Sequence, residues 1–408
     1  MVACRARFAG NSGAIAKNCN AAAAAQDRPN VEIILIRVLS GNQALNRRVH
    51  AAFPSINKRL DPMKLGMVFG YSGAQIKMPL DLILEAENLG YDSVWSAEAW
   101  GSDAVTPIAW ILAQTKRIKA GTAVMQMSAR TPAMTAMTAM TLDQLSGGRF
   151  LLGIGPSGPQ VIEGWYGQPY GKPLLRTREY ISIIRKIPER KEPLTHEGEH
   201  YQIPYRGPGS MGLGKPLKSI LHGNPKLPIY MGVATEKGVT TAAEIADGCF
   251  MIWVNPDRPE MFSEALVSGF AKAGGGKSLK TFDFAPFVRM AMGPDLQACR
   301  NRLKDNFALY IGGMGAREKN FYNDYTRRLG YADDAATIQD LYLSGRKEEA
   351  AAAVPDSYID ECCLVGPPEH IREQLTRWKA AGDRGEIGTM IISANSAAEL
   401  RVVAEAML

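Results

Sequence analysis

The sequence predicts an α/β protein, a TIM (β/α)8 barrel with insertions after strands four and seven. From Lys64 onward, short apolar runs alternate with amphipathic stretches, as in a parallel sheet covered by helices. The first four runs begin at residues 64, 92, 118 and 150, close to the spacing of about 30 residues expected for a βαβ unit. Eight such runs can be counted, and right-handed crossovers would close them into a barrel.

The apolar runs predict the strands, and the stretches between them predict the helices. The helix Leu80–Leu89 should end at Gly90, where a left-handed glycine closes the last turn, and Thr131-Pro132 should begin another. The Gly- and Pro-rich segment 193–226 is predicted to be a loop, and segment 320–353 should add helices after strand seven. The predicted strands are Lys64–Phe69, Asp92–Ala97, Ile118–Val124, Phe150–Ile154, Pro228–Val233, Gly248–Val254, Phe282–Met292 and Ile387–Ser393.

Charge is distributed unevenly along the 408 residues. Residues 1–62 hold nine Lys/Arg and three Asp/Glu, which accounts for the whole formal charge of +6 and leaves residues 63–408 neutral. Phosphate-backbone binding requires a concentrated basic field, so no nucleic-acid partner is expected for the barrel. Residues 1–62 show little periodicity and are predicted to be a poorly structured extension, upstream sequence translated from a misassigned start, with a regulatory or nucleic-acid-binding tail as the alternative.

The composition favours a cytoplasmic protein without a metal. Six cysteines form no C-x-x-C pair, and the chain has only five histidines, so no metal site is predicted. No run approaches the roughly 18 apolar residues of a membrane span, and no secretory signal is recognised. The expected partner is a small-molecule substrate. Whether the protein forms a homodimer is left open.

The motif Gly153-Ile154-Gly155-Pro156-Ser157-Gly158 matches G-x-G-x-x-G directly after a strand. A dinucleotide-binding fold would also require a helix opening at the motif and an acidic residue about 20 residues further on. The sequence indicates neither, and it places the next helix near Arg176. The glycines are therefore interpreted as a loop at the top of the barrel, and the doubly wound fold is kept as the alternative.

Residues at the carboxyl ends of barrel strands line the active site, which selects the candidate catalytic residues. Glu98 follows strand two and is the candidate acid/base, with Trp100 beside it in a partly dry pocket. The alternative is that Glu98 only accepts hydrogen bonds from a barrel loop. Gln126 follows strand three and could bond the edge of a planar ring, whereas Met134, Met137 and Met140, at helical spacing, should mark one buried helix face.

Two loops that precede helices are suited to anions. They are Gly155–Gly158 after strand four and Val233-Ala234-Thr235 after strand five. A phosphate could bind their backbone N–H groups and the positive end of the following helix, with Arg176 or Lys237 adding charge. Glu236 opposes this in the second loop.

Four segments resemble the luciferase-like flavin and deazaflavin oxidoreductases, and specifically their coenzyme F420-dependent branch. The resemblance covers residues 63–408, and residues 1–62 have no counterpart. The segments are Gly90-Tyr91-Asp92-Ser93-Val94-Trp95, Ala97-Glu98-Ala99-Trp100-Gly101-Ser102-Asp103, Leu142-Asp143-Gln144-Leu145-Ser146-Gly147-Gly148-Arg149-Phe150 and Ser157-Gly158-Pro159-Gln160-Val161.

The resemblance implies a cleft that holds an isoalloxazine-like ring, with F420 as cofactor and FMN as the alternative. It also implies a non-prolyl cis peptide at Ala123-Val124, and a cofactor phosphate near Gly155, Pro156, Ser157 and Gly158 and near Val233–Thr235. Sugar-phosphate-oxidising members carry a histidine where Ala99 stands, so that substrate class is not expected. The residues implied to bind the cofactor are Gly70, Ser96, Ala123, Val124, Gln126, Gly155, Pro156, Ser157, Gly158, Val233, Ala234 and Thr235.

The leading functional hypothesis is hydride transfer between a deazaflavin and a small organic substrate, acting on paired donors or on CH–OH or C=C groups. One alternative is an FMN-dependent luciferase-like monooxygenase. A second, of another class, is a flavin-binding barrel without turnover.

Overall fold

A computed structural model describes residues 62–70, 72–315 and 317–408. It confirms the predicted barrel. The eight barrel strands, numbered here in chain order, are β1 Lys64–Gly70, β2 Ser93–Ser96, β3 Lys119–Thr122, β4 Phe150–Gly155, β5 Ile229–Gly232, β6 Gly248–Ile252, β7 Asp283–Met292 and β8 Thr389–Ser393. The predicted extension 1–62 lies outside the described residues except for Pro62.

All pairings around the barrel are parallel. Each strand pairs with its sequence neighbour, and the circle closes where Lys64 to Met67 of β1 align with Thr389 to Ile392 of β8. A closed sheet has no free edge. The carboxyl ends of all eight strands therefore meet at one mouth, where the loops that carry the candidate residues converge.

Helices cover the outer face of the barrel and fill the insertions. The predicted helix Leu80–Leu89 is present and ends at Gly90 with φ 92°, and the helix after Thr131 begins as predicted, with the Thr131 side chain accepting from Met134 N–H. The α-helices are Leu80–Leu89, Val105–Gln114, Pro132–Leu145, Pro159–Gly164, Pro173–Glu189, Glu236–Ile245, Glu260–Ala273, Leu296–Ala308, Phe321–Arg328, Ala332–Leu343, Lys347–Ala352, Asp356–Cys362, Pro368–Asp383 and Ala397–Met407.

The insertions and strand ends differ in detail from the predictions. Segment 193–226 is largely irregular but contains a small hairpin, His196–Glu197 with Gln202–Ile203. A short extra strand, Leu364–Gly366, pairs with β7. The third predicted strand ends at Thr122, and the chain resumes pairing with β4 at Met125–Gln126. No helix within the described ranges is both long and apolar enough to span a membrane.

Two sequence predictions about helices were wrong. A helix of six residues, Pro159–Gly164, does open at the glycine motif, although the barrel topology excludes the doubly wound fold. On the helix Pro132–Leu145, Met140 is buried, but Met134 and Met137 are 53% and 55% exposed. The small residues Ala136 and Ala139 form the buried face with Met140 instead, because small side chains allow a helix to approach the sheet closely.

The barrel interior holds a cluster contributed by six strands: Trp95, Leu151, Tyr230, Phe250, Ala285 and Ile391. The rings of Tyr230 and Phe250 stack at 5.2 Å, and Trp95 meets Phe250 edge-on at 4.9 Å. The interior below the mouth is thus packed with side chains and is not a channel.

Candidate functional site

Small residues occupy most of the inward-facing positions at the barrel mouth. On β7, Phe284 packs outward against Phe262 of a covering helix, whereas Ala285 and Phe287 belong to or pack on the interior cluster. Successive strand residues face opposite sides of a sheet, so the same alternation identifies the uppermost inward positions of the other strands. They form an open cup, defined here by Ala97, Gly155, Gly232, Arg289 and Ser393, with Gly70 at its rim.

The floor of the cup is apolar and depends on two glycines. Val68, Ala123, Val124 and Phe287 are partly exposed and lie on the interior cluster. A Cβ at Gly155 would lie 2.6 Å from Val124 Cγ2, and one at Gly232 would lie 3.0 Å from Val124 Cγ1. Only glycine therefore fits at the ends of β4 and β5 while Val124 keeps this place. The peptide Ala123-Val124 is cis, as the family resemblance implies.

Glu98 is the centre of a buried network at the edge of the mouth. Its carboxylate accepts from Arg130 at 2.8 and 2.9 Å and from Ala104 N–H at 2.9 Å. Gln126 N–H donates to it at 3.3 Å, and the Tyr166 hydroxyl lies 3.5 Å away. These contacts are those of the alternative given above, in which Glu98 accepts hydrogen bonds from a barrel loop. Glu98 also lines a cavity.

The charges of this network act on the neighbouring groups. Burial would lower the pKa of Arg130, but the hydrogen bonds and attraction of Glu98 outweigh it and raise that pKa. Burial raises the pKa of Tyr166, and the negative charge of Glu98 adds to the effect. Arg130 is therefore held charged and Tyr166 protonated at neutral pH, and the Tyr166 hydroxyl has Glu98 Oε1 and Ala99 O as acceptors at 3.5 and 3.3 Å.

A cavity of about 280 Å³ opens beside this ion pair. Trp165 contributes an indole that is 63% exposed, and Trp100, next to the cavity in sequence, is also exposed. The lining combines small residues and two aromatic rings with the charges of Glu98, Asp103 and Arg130, so this pocket suits a small molecule that carries polar groups. Its lining residues are Glu98, Ala99, Gly101, Ser102, Asp103, Ala129, Arg130, Trp165 and Tyr166.

Gln126 and Ser96 are both buried near the carboxyl ends of their strands. The Gln126 side chain donates to the backbone oxygens of Glu98 and Ala99 at 3.0 and 3.3 Å, while its Oε1 has no partner among the described residues. Ser96 pairs with Gly70 across a break in register, and its Oγ also has no partner among the described residues. The place of Ser96 in the cofactor site stays a prediction.

The first candidate anion loop is linked to Arg176 through Tyr170. Ser157 adopts a positive φ of 57°, and its carbonyl accepts from the Tyr170 hydroxyl at 3.4 Å. Arg176 donates to Ser128 Oγ at 3.2 Å and to Pro169 O at 2.8 Å, and its charge opposes the burial that raises the pKa of Tyr170. Pro156 and Gly158 complete this loop.

The second candidate loop is ordered by its own cap. Thr235 caps the helix Glu236–Ile245, with its side chain accepting from Gly238 N–H at 3.0 Å, and Val233 N–H is already bonded to Phe250 O. Glu236, which opposes anion binding, forms an ion pair with Arg328. Ala234 lies between these fixed residues, and the Lys237 side chain is exposed.

Sequence reasoning missed Arg130, Tyr166, Tyr170 and Arg289. Arg130 and the two tyrosines lie in irregular segments, where no period indicates which way a side chain faces. Arg289 lies inside the predicted strand Phe282–Met292, and the alternation of that strand was the available signal: it is an inward position that carries a charge.

Comparison with known proteins agrees with this geometry. The family model described as luciferase-like monooxygenase matches residues 63–385. A Mycobacterium tuberculosis protein named "Putative coenzyme F420-dependent oxidoreductase" is 46% identical, over 84% of this chain and 98% of its own length. The 5,10-methylenetetrahydromethanopterin reductase of Archaeoglobus fulgidus is 30% identical, over 73% of this chain and 84% of its own.

Solved structures share the fold. The coenzyme F420-dependent tetrahydromethanopterin reductase of Methanopyrus kandleri superposes with a TM-score of 0.68 at 21% identity, covering 85% of this chain and 99% of that chain. The sequence matches, which span most of the chain, identify more than the fold. The chain belongs to the luciferase-like monooxygenase family, in the branch that contains coenzyme F420-dependent oxidoreductases, and it is an oxidoreductase.

Proposed function

We propose that this protein uses coenzyme F420 to move a hydride between the deazaflavin and a small organic substrate. The observation that carries the proposal is the cup, whose small inward residues and apolar floor leave room for a planar ring. The relatives named for F420 support the choice of cofactor. The ring, when bound, accepts or donates the hydride, and the protein orients it and its partner.

The residues that fit the cofactor surround the cup. Val124 and Ala123 would support the ring, with Gly70 at the rim and the unpartnered Gln126 Oε1 as an acceptor near its edge. A phosphate would bind at Gly155–Gly158, where Arg176 adds a positive charge, with Val233–Thr235 as the second place. Ser96, whose buried Oγ has no partner among the described residues, is a further candidate of this set.

The cavity beside Glu98 and Arg130 is the proposed place of the substrate. Gln126 links this cavity to the end of β4: its side chain donates to the backbone oxygens of Glu98 and Ala99, which line the cavity, and its backbone pairs with Gly155. Trp165 and Tyr166 would pack on the substrate and exclude water, which strengthens polar interactions inside. The role of Glu98 as acid/base stays a prediction, because its oxygens are already bonded to Arg130 and Ala104.

A cofactor titration tests the proposal. Full-length protein is titrated with F420 and with FMN, and cofactor absorbance, reduction by a panel of alcohol and C–H donors, and oxygen consumption are recorded. We expect tight binding and reduction of F420 and weak binding of FMN. Tight binding of FMN with oxygen consumption would overturn the proposal in favour of a monooxygenase, since reduced FMN activates oxygen and a deazaflavin does not.

The variant Glu98→Gln separates the two roles of Glu98. Loss of turnover with unchanged F420 binding and unchanged unfolding temperature would support proton transfer by the carboxylate. Loss of turnover together with a lower unfolding temperature would instead assign Glu98 the positioning of Arg130 and the loop.

A further inference from the structure

Arg289 is the charged member of the cup. It lies two residues after Phe287 on β7, and the register Phe287 to Ile391 and Arg289 to Ser393 continues without a break. Phe287 packs on the interior cluster, so Arg289 faces the same interior one layer higher. Its outward neighbours Val288 and Met290 are buried under the helices, whereas Arg289 is partly exposed. Solvent therefore reaches the Arg289 side chain through the mouth of the barrel.

The Arg289 guanidinium forms no hydrogen bond or ion pair with any of the residues that the structure describes. This distinguishes it from two other arginines of the barrel. Both terminal nitrogens of Arg130 donate to Glu98. Arg149 makes five hydrogen bonds to backbone and hydroxyl oxygens. A guanidinium has five N–H donors in a fixed fork that suits carboxylates and phosphates.

The other inward members of the cup provide no competing anion for Arg289. The other inward members of the cup, Ala97, Gly155, Gly232 and Ser393, carry no charge, and Ser393 Oγ already accepts from Met290 N–H. A partly buried guanidinium without a partner is unfavourable in the free protein. An anion that enters the cup would remove that cost and would gain charge-assisted hydrogen bonds.

We propose that Arg289 binds an anionic group of a ligand held in the cup. The inference deepens the proposed function and rests on it, because it names a binding residue of the same site. Two ligands could supply the anion: the cofactor through its phosphate, or the substrate through a carboxylate or phosphate. The shared chemistry is an oxyanion that accepts from two guanidinium N–H groups.

Three full-length variants test the proposal: Arg289→Gln, Arg289→Lys and, as a matched control, Arg302→Gln. Arg302 is exposed and donates to Met292 O at the end of the same strand, outside the barrel. Each is titrated with F420 and with 5-deazariboflavin, which has the ring without a phosphate. Each F420-loaded protein is then titrated with acetate, benzoate and inorganic phosphate, and with neutral benzamide, by calorimetry.

If the cofactor supplies the anion, Arg289→Gln should weaken F420 by about tenfold to a hundredfold and leave 5-deazariboflavin unchanged. If the substrate supplies it, F420 affinity should stay unchanged, and binding of an anionic probe should be lost while benzamide is unaffected. Arg289→Lys should keep part of the affinity in either case, and Arg302→Gln should match the wild type.

The unfolding temperature separates ligand binding from a structural role. Since Arg289 has no described partner, Arg289→Gln should unfold at the wild-type temperature or above it. A variant that unfolds earlier with unchanged affinities, or that alters no titration, would overturn the proposal. If FMN binds and F420 does not, the proposed function fails separately, and the same variants titrated with FMN and riboflavin still decide whether Arg289 binds an anion.

Discussion

Arg130 binds both carboxylate oxygens of Glu98, with Nη1 2.8 Å from Oε1 and Nη2 2.9 Å from Oε2. The Glu98 side chain is 3% exposed and that of Arg130 is 21% exposed. The pair joins the loop after β2 to the segment after β3, and it forms one wall of the cavity. Any change in one partner is therefore expected to affect both the fold and the site.

Arg130→Gln should destabilise the protein by about 3 kcal/mol, because it leaves the buried Glu98 carboxylate without its counter-charge. Chemical denaturation measures the free energy of unfolding. Adding Glu98→Gln to this variant should recover part of the loss, because the uncompensated charge disappears. Equal stability of Arg130→Gln and wild type would contradict a structural contribution of the pair.

Gly155→Ala should weaken ring binding, because the new Cβ would lie 2.6 Å from Val124 Cγ2 and displace the floor of the cup. We expect at least a tenfold rise in the Kd of 5-deazariboflavin, on the order of 1.4 kcal/mol. The double variant with Val124→Ala should recover affinity. Gly164→Ala, where a Cβ meets nothing within 4 Å, is the control, and the idea fails if both alanines behave alike.

Arg328→Gln should weaken binding of the cofactor phosphate if the loop Val233–Thr235 is used, because it leaves the negative charge of Glu236 uncompensated. Both side chains are largely solvent-accessible, so the expected rise in the F420 Kd is only about twofold to fivefold. Adding Glu236→Gln should reverse it. An unchanged Kd in both variants would place the phosphate at Gly155–Gly158 alone.

Glu179 gives the stability of the hairpin region a defined pH dependence. Burial would raise its pKa, but hydrogen bonds from the backbone N–H groups of His200, Glu199 and Tyr201 outweigh burial and lower it. A lowered folded-state pKa adds stability above the ordinary value of 4.5, and this stability is lost as pH falls through the folded-state value.

Glu179→Gln should therefore be less stable than wild type at pH 7, by about 2 kcal/mol. The difference should vanish as the pH falls below 4.5. Urea denaturation across this range measures it. Glu199→Gln, which alters an exposed pair with Lys172 in the same hairpin, should show little change at any pH, and a pH-independent difference for Glu179→Gln would refute the assignment.

Local signals made the barrel predictable. The apolar runs and their spacing placed all eight strands, and Gly90 and Thr131 marked helix ends by their own conformational preferences. The predictions failed where tertiary packing determines which side of a helix is buried or where a short helix forms. Met134 and Met137 have helical spacing, yet the neighbouring alanines face the sheet, and the short helix after Gly158 has too few residues for a period to be recognised.

The candidate site was only partly predictable. Strand ends identify Glu98, Gln126 and the two loops, because the carboxyl ends of parallel strands meet at one mouth. Period-two alternation would also have turned Arg289 inward, but it was not applied to the strand runs, which were treated as uniformly buried.

Local periodicity and motifs within single segments were enough to identify the class of fold, the order of its elements and the family. The folded barrel was needed to show that Glu98 is bound by Arg130, that Val124 lies over Gly155 and Gly232, and that Arg289 has no counter-charge among the described residues. Each of these depends on distances between chain segments that are remote in sequence, and such distances are fixed only when the barrel closes.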